Sequence, residues 1–268
     1  MIRPACPKDR PVLERLYRTC FSETADYTAF AFEQLFSRAD VPVAEVDGVP
    51  RSMCFLLPFV FRLGGRAVRA QYLYAACTDK VYRGRGLMGE ILRTADNWCR
   101  RADRAFTFLV PASESLFSYY AAHGYRTVFT RAKVLPGAAQ GALSPICSDG
   151  AYRRLRERYL SGDGCMIQSG WSMSFTAQDA RLTDGTLYTL QLPHGPGCAV
   201  RSGSTVKELC CDRRDLSCAA GLFAADGVQD VYTSPFLSSG ERMPYAMAKA
   251  PEGDALPFSQ GYCNLLFD

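Results

Sequence analysis

The chain has 268 residues, of which 48% are apolar and 22% charged, and its net charge is +4. This composition excludes disorder and fibres, the length allows one or two cores, and the small charge argues against a nucleic-acid partner. The twelve cysteines include no C-x-x-C pair and are joined by only two histidines, His123 and His194, so no metal site is expected.

The opening MIRPACPKDRPVLERLY is charged from its third residue and does not read as a signal peptide. Val12, Leu13, Leu16, Tyr17 and Cys20 fall at helical spacing, which predicts a helix over 11–20 with Asp9 as its N-cap. A second helix is expected over 26–37. The pattern then changes. VPVAEV (41–46) reads as a strand, Asp47-Gly48 as a hairpin turn, and the run to Phe61 as a second strand. Gly64-Gly65 turns the chain into a third strand over 66–78, so three antiparallel strands follow one another as a meander. After a loop, a helix over 86–101 carries Leu87, Met88, Ile91, Leu92, Ala95, Trp98 and Cys99 on one face. Glu90, Arg93, Asp96, Asn97 and Arg100 lie opposite. Cys20, Cys54, Cys77 and Cys99 sit in these apolar runs, where a free thiol behaves as a small hydrophobe.

A short strand over 106–110, a helix over 115–124 ended by Gly124, and a strand over 125–135 follow. PGAAQGALSPICSDG (136–150) reads as a linker. A helix over 152–159, strands near 186–192, 197–201 and 205–211, a helix over 212–225 and a strand over 228–233 then partly repeat the earlier order. No apolar run approaches the roughly 18 residues of a membrane span. A reduced, cytoplasmic protein without a membrane partner is expected.

The loop between meander and helix raises the functional question. Within VYRGRGLMGEIL (81–92), GRGLMG satisfies G-x-G-x-x-G. A dinucleotide fingerprint needs those glycines after the first strand of a parallel sheet, and an acid about 20 residues on to hold the ribose. Here a meander comes first, and the strand over 106–110 ends in Pro111 and Ala112. There is no G-K-[ST] either. Arginine supplies 26 of the 31 basic residues, nine of them between Arg62 and Arg104. A helix N-terminus leaves backbone N–H groups unpaired, glycines let a ligand approach them, and guanidinium groups add charge, which together suit a pyrophosphate.

The meander, loop and amphipathic helix resemble the acetyl-CoA-binding core of the GCN5-related N-acetyltransferase (GNAT) superfamily. Its motif R/Q-x-x-G-x-G/A is met by Arg83 and Gly86, while Met88 stands where a small residue is usual. RGRGLM resembles the enhanced-intracellular-survival branch, which joins tandem acetyltransferase-like units. YAAHGY (120–125) independently matches Y-x-x-x-G-[FY], with Tyr120, Gly124 and Tyr125. The resemblance covers residues 2 to about 134, and beyond 150 it rests on element order alone.

The resemblance implies an α/β fold with a mixed, mostly antiparallel sheet flanked by helices, and a second, degenerate unit of the same kind. The implied organisation is an acetyl-CoA-binding domain over 1–135, a linker over 136–150 and a degenerate domain over 151–268. The implied activity moves an acetyl group from acetyl-CoA to a primary amine of a small molecule or peptide. Ala76, Cys77 and Thr78 would meet the pantetheine arm through backbone groups, one N–H polarising the thioester carbonyl. Arg83, Gly84, Arg85, Gly86, Leu87, Met88 and Gly89 would hold the pyrophosphate, and Ser113 would face the pantetheine. Tyr120 would protonate the leaving thiolate, with Tyr119 its rival if the register is off by one. Asp268 is the expected base by analogy with the same branch. Without the resemblance, Tyr120 reads as a core tyrosine, Ser113 and Glu114 as loop residues, His123 as a capping residue and Asp268 as a solvated acid. The other functions left open are an acyl-CoA-binding module without turnover and a nicotinamide-dependent oxidoreductase.

Overall fold

The computed structural model describes residues 1–145, 148–252 and 254–264. The chain divides into two compact units that do not follow the linear order of the sequence. The first comprises Met1–Phe59, Val68–Arg126 and Met247–Pro257. The second comprises the described residues of Val60–Ala67, Thr127–Ala246 and 258–264.

The first unit starts with strand β1 (Ile2–Pro4), helices α1 (Arg10–Phe21) and α2 (Ala25–Leu35), and the meander β2 (Pro42–Val46), β3 (Val49–Leu63) and β4 (Arg66–Thr78). Helix α3 (Leu87–Arg101), strand β5 (Thr107–Leu109) and helix α4 (Glu114–Ala122) follow. Asp47 and Gly48, both at positive φ, make the tight turn between β2 and β3. β1–β2 and β2–β3 pair antiparallel, whereas β4 and β5 pair parallel across the α3 crossover. The apolar stripe of α3 is buried as its spacing predicts, with Ile91, Leu92, Ala95 and Cys99 no more than 2% exposed. Each large side chain so buried contributes about 1.5–3 kcal/mol. Asp9 stands at the N-cap position of α1, but its carboxylate does not cap that helix. It accepts from the Cys6 N–H at 2.8 Å and pairs with Arg3 at 2.6 Å, closing the preceding turn instead.

The second unit contains β6 (Arg126–Lys133), β7 (Ala142–Pro145), α5 (Asp149–Tyr159), β8 (Met166–Ile167), α6 (Gly170–Leu182), the meander β9 (Gly185–Leu192), β10 (Gly195–Ser202) and β11 (Thr205–Cys210), then α7 (Leu216–Ala225) and β12 (Asp230–Thr233). Here β9–β10 and β10–β11 are antiparallel and β11–β12 parallel, the pattern of β2 to β5. A final strand, β13 (Arg242–Lys249), ends in the first unit, where Met247, Ala248 and Lys249 pair with β5. Conversely, β6 follows α4 in sequence yet pairs with β12. Each unit thus completes its sheet with a strand from the other half of the sequence, and boundaries drawn at 135 and 150 cut across both exchanges.

The stretch over 136–150 holds β7 and the start of α5, so it is not a plain linker. Its small residues serve close packing: a Cβ on Gly137 would stand 2.2 Å from Ser217 Oγ, and one on Gly141 2.1 Å from the Gln191 carbonyl. The second core gathers Tyr152, Leu190, Val206, Leu209, Phe223 and Tyr262 around one buried ion pair. Arg156 and Glu208, both 0% exposed, meet at 2.9 Å, and the Tyr152 and Tyr262 hydroxyls also donate to Glu208, at 3.0 and 2.9 Å. That carboxylate is saturated with donors, as burial of a charge requires.

Candidate acyl-transfer site

The site lies where β4 outruns its parallel neighbour. The β4–β5 ladder covers Gln71–Thr107 and Tyr72–Phe108, after which β4 continues to Thr78 while β5 ends at Leu109. Ala75 sits between, at φ 53, a left-handed conformation that costs a residue with a Cβ about 1–2 kcal/mol. Beyond this kink the edge facing β3 is in use. The Cys77 carbonyl accepts from Ser52 Oγ at 3.0 Å, and the Asp79 N–H donates to the Arg51 carbonyl at 2.8 Å. Successive residues of a strand turn their backbone groups to opposite edges. The Ala76 and Thr78 amides therefore face the side that β5 has left, and the Cys77 backbone does not.

A short turn over Lys80–Tyr82 then leads into the loop, capped by the Asp79 carboxylate on the Val81 N–H at 3.1 Å. Gly84 and Gly86 have φ of 74° and 80°, and a Cβ on either would meet nothing within 4 Å. Glycine is needed there for conformation, and the space beside the loop is open. Gly86 stands at the N-cap of α3 without a side-chain cap, and the first helical bond runs from the Glu90 N–H to its carbonyl at 3.1 Å. The Leu87, Met88 and Gly89 N–H groups consequently have no acceptor within the helix, which leaves partial positive charge at its start. Met88 fits a position where a small residue is usual because its side chain packs against the apolar cluster of Ile91, Leu92 and Tyr120.

The arginines divide their tasks. Arg85 and Arg51 lie over the Tyr82 ring at 4.8 and 4.6 Å, and Arg51 also pairs with Asp79 at 3.1 Å. Arg83 turns back onto the strand, its Nε donating to the Thr78 carbonyl at 3.1 Å and its Nη2 lying 3.9 Å from Cys20 Sγ. It ties the loop to β4, a role the motif alone does not disclose.

Tyr120 points inward from α4, 8% exposed, into a cluster that includes Cys54 of β3, Leu73 of β4 and the partly buried Ala76, Leu87 and Met88. Burial, reinforced by Cys54 and Tyr119, pushes its pKa far above the usual tyrosine range, so the hydroxyl stays protonated. Tyr119 is 37% exposed and its ring lies 4.9 Å from that of His123. His123 closes α4 at its C-cap, and burial together with Lys249 and Arg93 lowers its pKa. Ser113 precedes α4 at its N-cap position, its Oγ 3.0 Å from Ser115 Oγ. The structure thus gathers Ala76, Thr78, the 83–89 loop and Tyr120 in one unit, whereas Asp268 lies outside the described residues.

Sequence reasoning missed four contributors. Cys20 reads as a hydrophobe in its apolar run but is half-buried against Arg83. Ser52 and Arg51 on β3 hold the end of β4, and alternation along β3 could not mark them as polar partners of residues 25 to 28 positions away. Asp96, placed on the solvent side of α3, is 9% exposed and pairs with Lys249 of β13, a contact across 153 positions.

The corresponding loop of the second unit is closed by its own carboxylates. Asp212 caps the Arg214 N–H at 3.0 Å and pairs with the Arg214 guanidinium at 2.9 Å. Asp215, 1% exposed, accepts from the His194 N–H at 2.9 Å and contacts His194 Nδ1 at 2.6 Å. Among the described residues no group of three or more His, Cys, Asp or Glu could hold a metal ion, and no helix is long and apolar enough to cross a membrane.

Residues 1–128 match the family model described as an acetyltransferase (GNAT) domain. No curated protein matches the chain significantly in sequence. Among solved structures, the chain is similar to a conserved protein of unknown function, a probable N-acyltransferase, from Enterococcus faecalis V583, with a TM-score of 0.72 and 16% identity over 94% of this chain and 73% of that one. It is also similar to a GCN5-related N-acetyltransferase from Anabaena variabilis ATCC 29413, with a TM-score of 0.70 and 13% identity over 94% and 73%. Eis1 from Mycobacterium abscessus superimposes with a TM-score of 0.67 and 12% identity over 94% and 74%. At these identities the likeness establishes the fold. Sequence match and fold agree: residues 1–128 match the GNAT domain model, and the chain as a whole has a GNAT-like fold of roughly two GNAT-sized units.

Proposed function

We propose that this chain transfers the acetyl group of acetyl-CoA to a primary amine of a small molecule or peptide. The observation that carries this reading is the open edge of β4 after Ala75, flanked by the uncapped start of α3 and by Tyr120. The Leu87 to Gly89 N–H groups would bind the pyrophosphate, since Gly84 and Gly86 leave the approach clear. Arg83 would act by fixing the loop and Arg85 by its charge. The Ala76 and Thr78 amides would orient the pantetheine arm, and a backbone N–H at this edge would polarise the carbonyl oxygen. Acetyl-CoA, when bound, supplies the activated acyl group. Tyr120 would hold a proton at its hydroxyl for the departing sulfur, since burial keeps that group protonated. Ser113 would lie along the arm. Asp268 would deprotonate the amine, and Asp268→Asn tests its side chain.

One such site per chain is proposed, in the first unit, because Asp212 and Asp215 place carboxylates at the start of α7. Release of CoA from acetyl-CoA, measured across a panel of amines, tests the reading. Amine-dependent release with acetylated product supports it. CoA binding without release against any amine favours a binding module, and no CoA binding removes the proposal.

A further inference from the structure

Arg131, in β6, carries a charge that no described carboxylate balances. The strands on either side of β6 are β12 and β13, and each brings a tyrosine to it. The guanidinium carbon lies 3.8 Å from the centre of the Tyr232 ring and 5.3 Å from that of Tyr245. Both tyrosines are buried, whereas Arg131 is half-buried. Its Nε is sealed from solvent and has no hydrogen-bond partner among the described residues. Nη1 and Nη2 are not sealed, and they too bond to no described residue, so they form the open edge of the group. Arg51, Arg104 and Arg153 share such an Nε, but each pairs with a carboxylate, from Asp79, Asp40 and Glu157 in turn. Arg62 lacks a carboxylate as well, yet no described ring lies under it. Lys133, next along the same face of β6, is committed to Asp230 at 2.7 Å. A ring face attracts a cation but offers no oxygen acceptor to its N–H groups.

We propose that Arg131 anchors an anion site in the second unit, and that its ligand is the carboxylate of an apolar, preferably aromatic, molecule. The Nη1 and Nη2 edge presents two parallel N–H groups, which match the two oxygens of a carboxylate. The tyrosines hold the guanidinium in place, so little side-chain freedom is lost when the anion binds. One uncommitted cation balances one negative charge. A phosphate dianion would keep a charge unpaired, because Lys133 is already committed to Asp230. An apolar body suits the other neighbour on this face. Phe129 precedes Arg131 by two residues, about 7 Å along the strand, and its ring centre lies 5.4 Å from that of the partly exposed Phe258. A small-molecule acid and a peptide C-terminus share this chemistry. The site uses no residue of the acetyl-transfer reading and does not depend on it.

The test titrates benzoate into the full chain by calorimetry at constant ionic strength, with acetate and inorganic phosphate as comparisons. Benzoate should bind at a single site, roughly fivefold or more tighter than either comparison. Arg131→Gln should raise its Kd roughly tenfold or more. Arg131→Lys, which keeps the charge but not the fork, should raise it at least about fivefold. In the native chain, saturating benzoate should slow phenylglyoxal modification of Arg131, mapped by mass spectrometry, while the exposed Arg66 reacts at its unprotected rate. That measurement needs no variant and decides the matter even if Arg131→Gln does not fold. A blocked tripeptide ending in phenylalanine, titrated as free acid and as amide, separates the two sources. A free acid that binds tighter than benzoate assigns a peptide terminus, and one that binds more weakly assigns a small-molecule acid. Equal Kd values in native and Arg131→Gln chains, or no protection of Arg131, would overturn the site. So would phosphate or acetate that binds as tightly as benzoate, or an amide that binds like its acid.

Discussion

Replacing Tyr120 with Phe removes one oxygen and should separate chemistry from stability. The hydroxyl makes no hydrogen bond to the described residues. A typical bond contributes about 0.5–1.5 kcal/mol, so with none to lose the change in stability should stay within about 0.5 kcal/mol. The ring keeps its packing against Cys54, Leu73 and Tyr125. If the hydroxyl protonates the leaving thiolate, its loss should lower kcat roughly 10²-fold or more. A factor of 10² corresponds to about 2.7 kcal/mol of transition-state stabilisation, several times the expected stability change. Because burial raises the pKa of Tyr120, deprotonation of this group should produce no alkaline decline in the native rate near the usual tyrosine pKa of about 10. Steady-state CoA release, run beside thermal melts of native, Tyr120→Phe and Tyr119→Phe proteins, decides the matter. A Tyr120→Phe enzyme within twofold of native would refute the assignment, and a large loss in Tyr119→Phe alone would shift the register by one.

Gly86→Ala should cost about 1–2 kcal/mol from its left-handed backbone and no more, since its Cβ meets nothing. Gly221→Ala should cost about 3 kcal/mol or more, because its Cβ would stand 2.2 Å from the Gly137 carbonyl; equal midpoints in urea melts would contradict the contrast. Glu208→Ala should destabilise by about 3–5 kcal/mol by stranding Arg156, whereas replacing both partners with Met should recover most of that loss; a double variant as unstable as the single would deny the buried-charge account. Calorimetry should find one CoA per chain, and two equivalent sites would show that Asp212 and Asp215 do not keep phosphate from α7.

Local order in the first half was legible because period and punctuation agree there. Asp47-Gly48 and Gly64-Gly65 mark the hairpins, and the stripe from Leu87 to Cys99 is nearly a full helix length. The glycine loop and YAAHGY could be placed because motif residues need a fixed conformation, and Gly84 and Gly86 at positive φ supply it. Helix α6 escaped notice because its buried face carries Ser172 and Thr176 among the apolar residues, and β13 because Pro244 interrupts its pattern. What only the tertiary structure decided are contacts between residues far apart in sequence. The exchange of β6 and β13, the burial of Asp96 under Lys249, the Arg156–Glu208 pair and the meeting of Cys20 with Arg83 each join separate segments. Periodicity reports which face of an element is buried but not which partner covers it. A polar residue that finds a partner across the fold therefore reads, in sequence, like one that faces water.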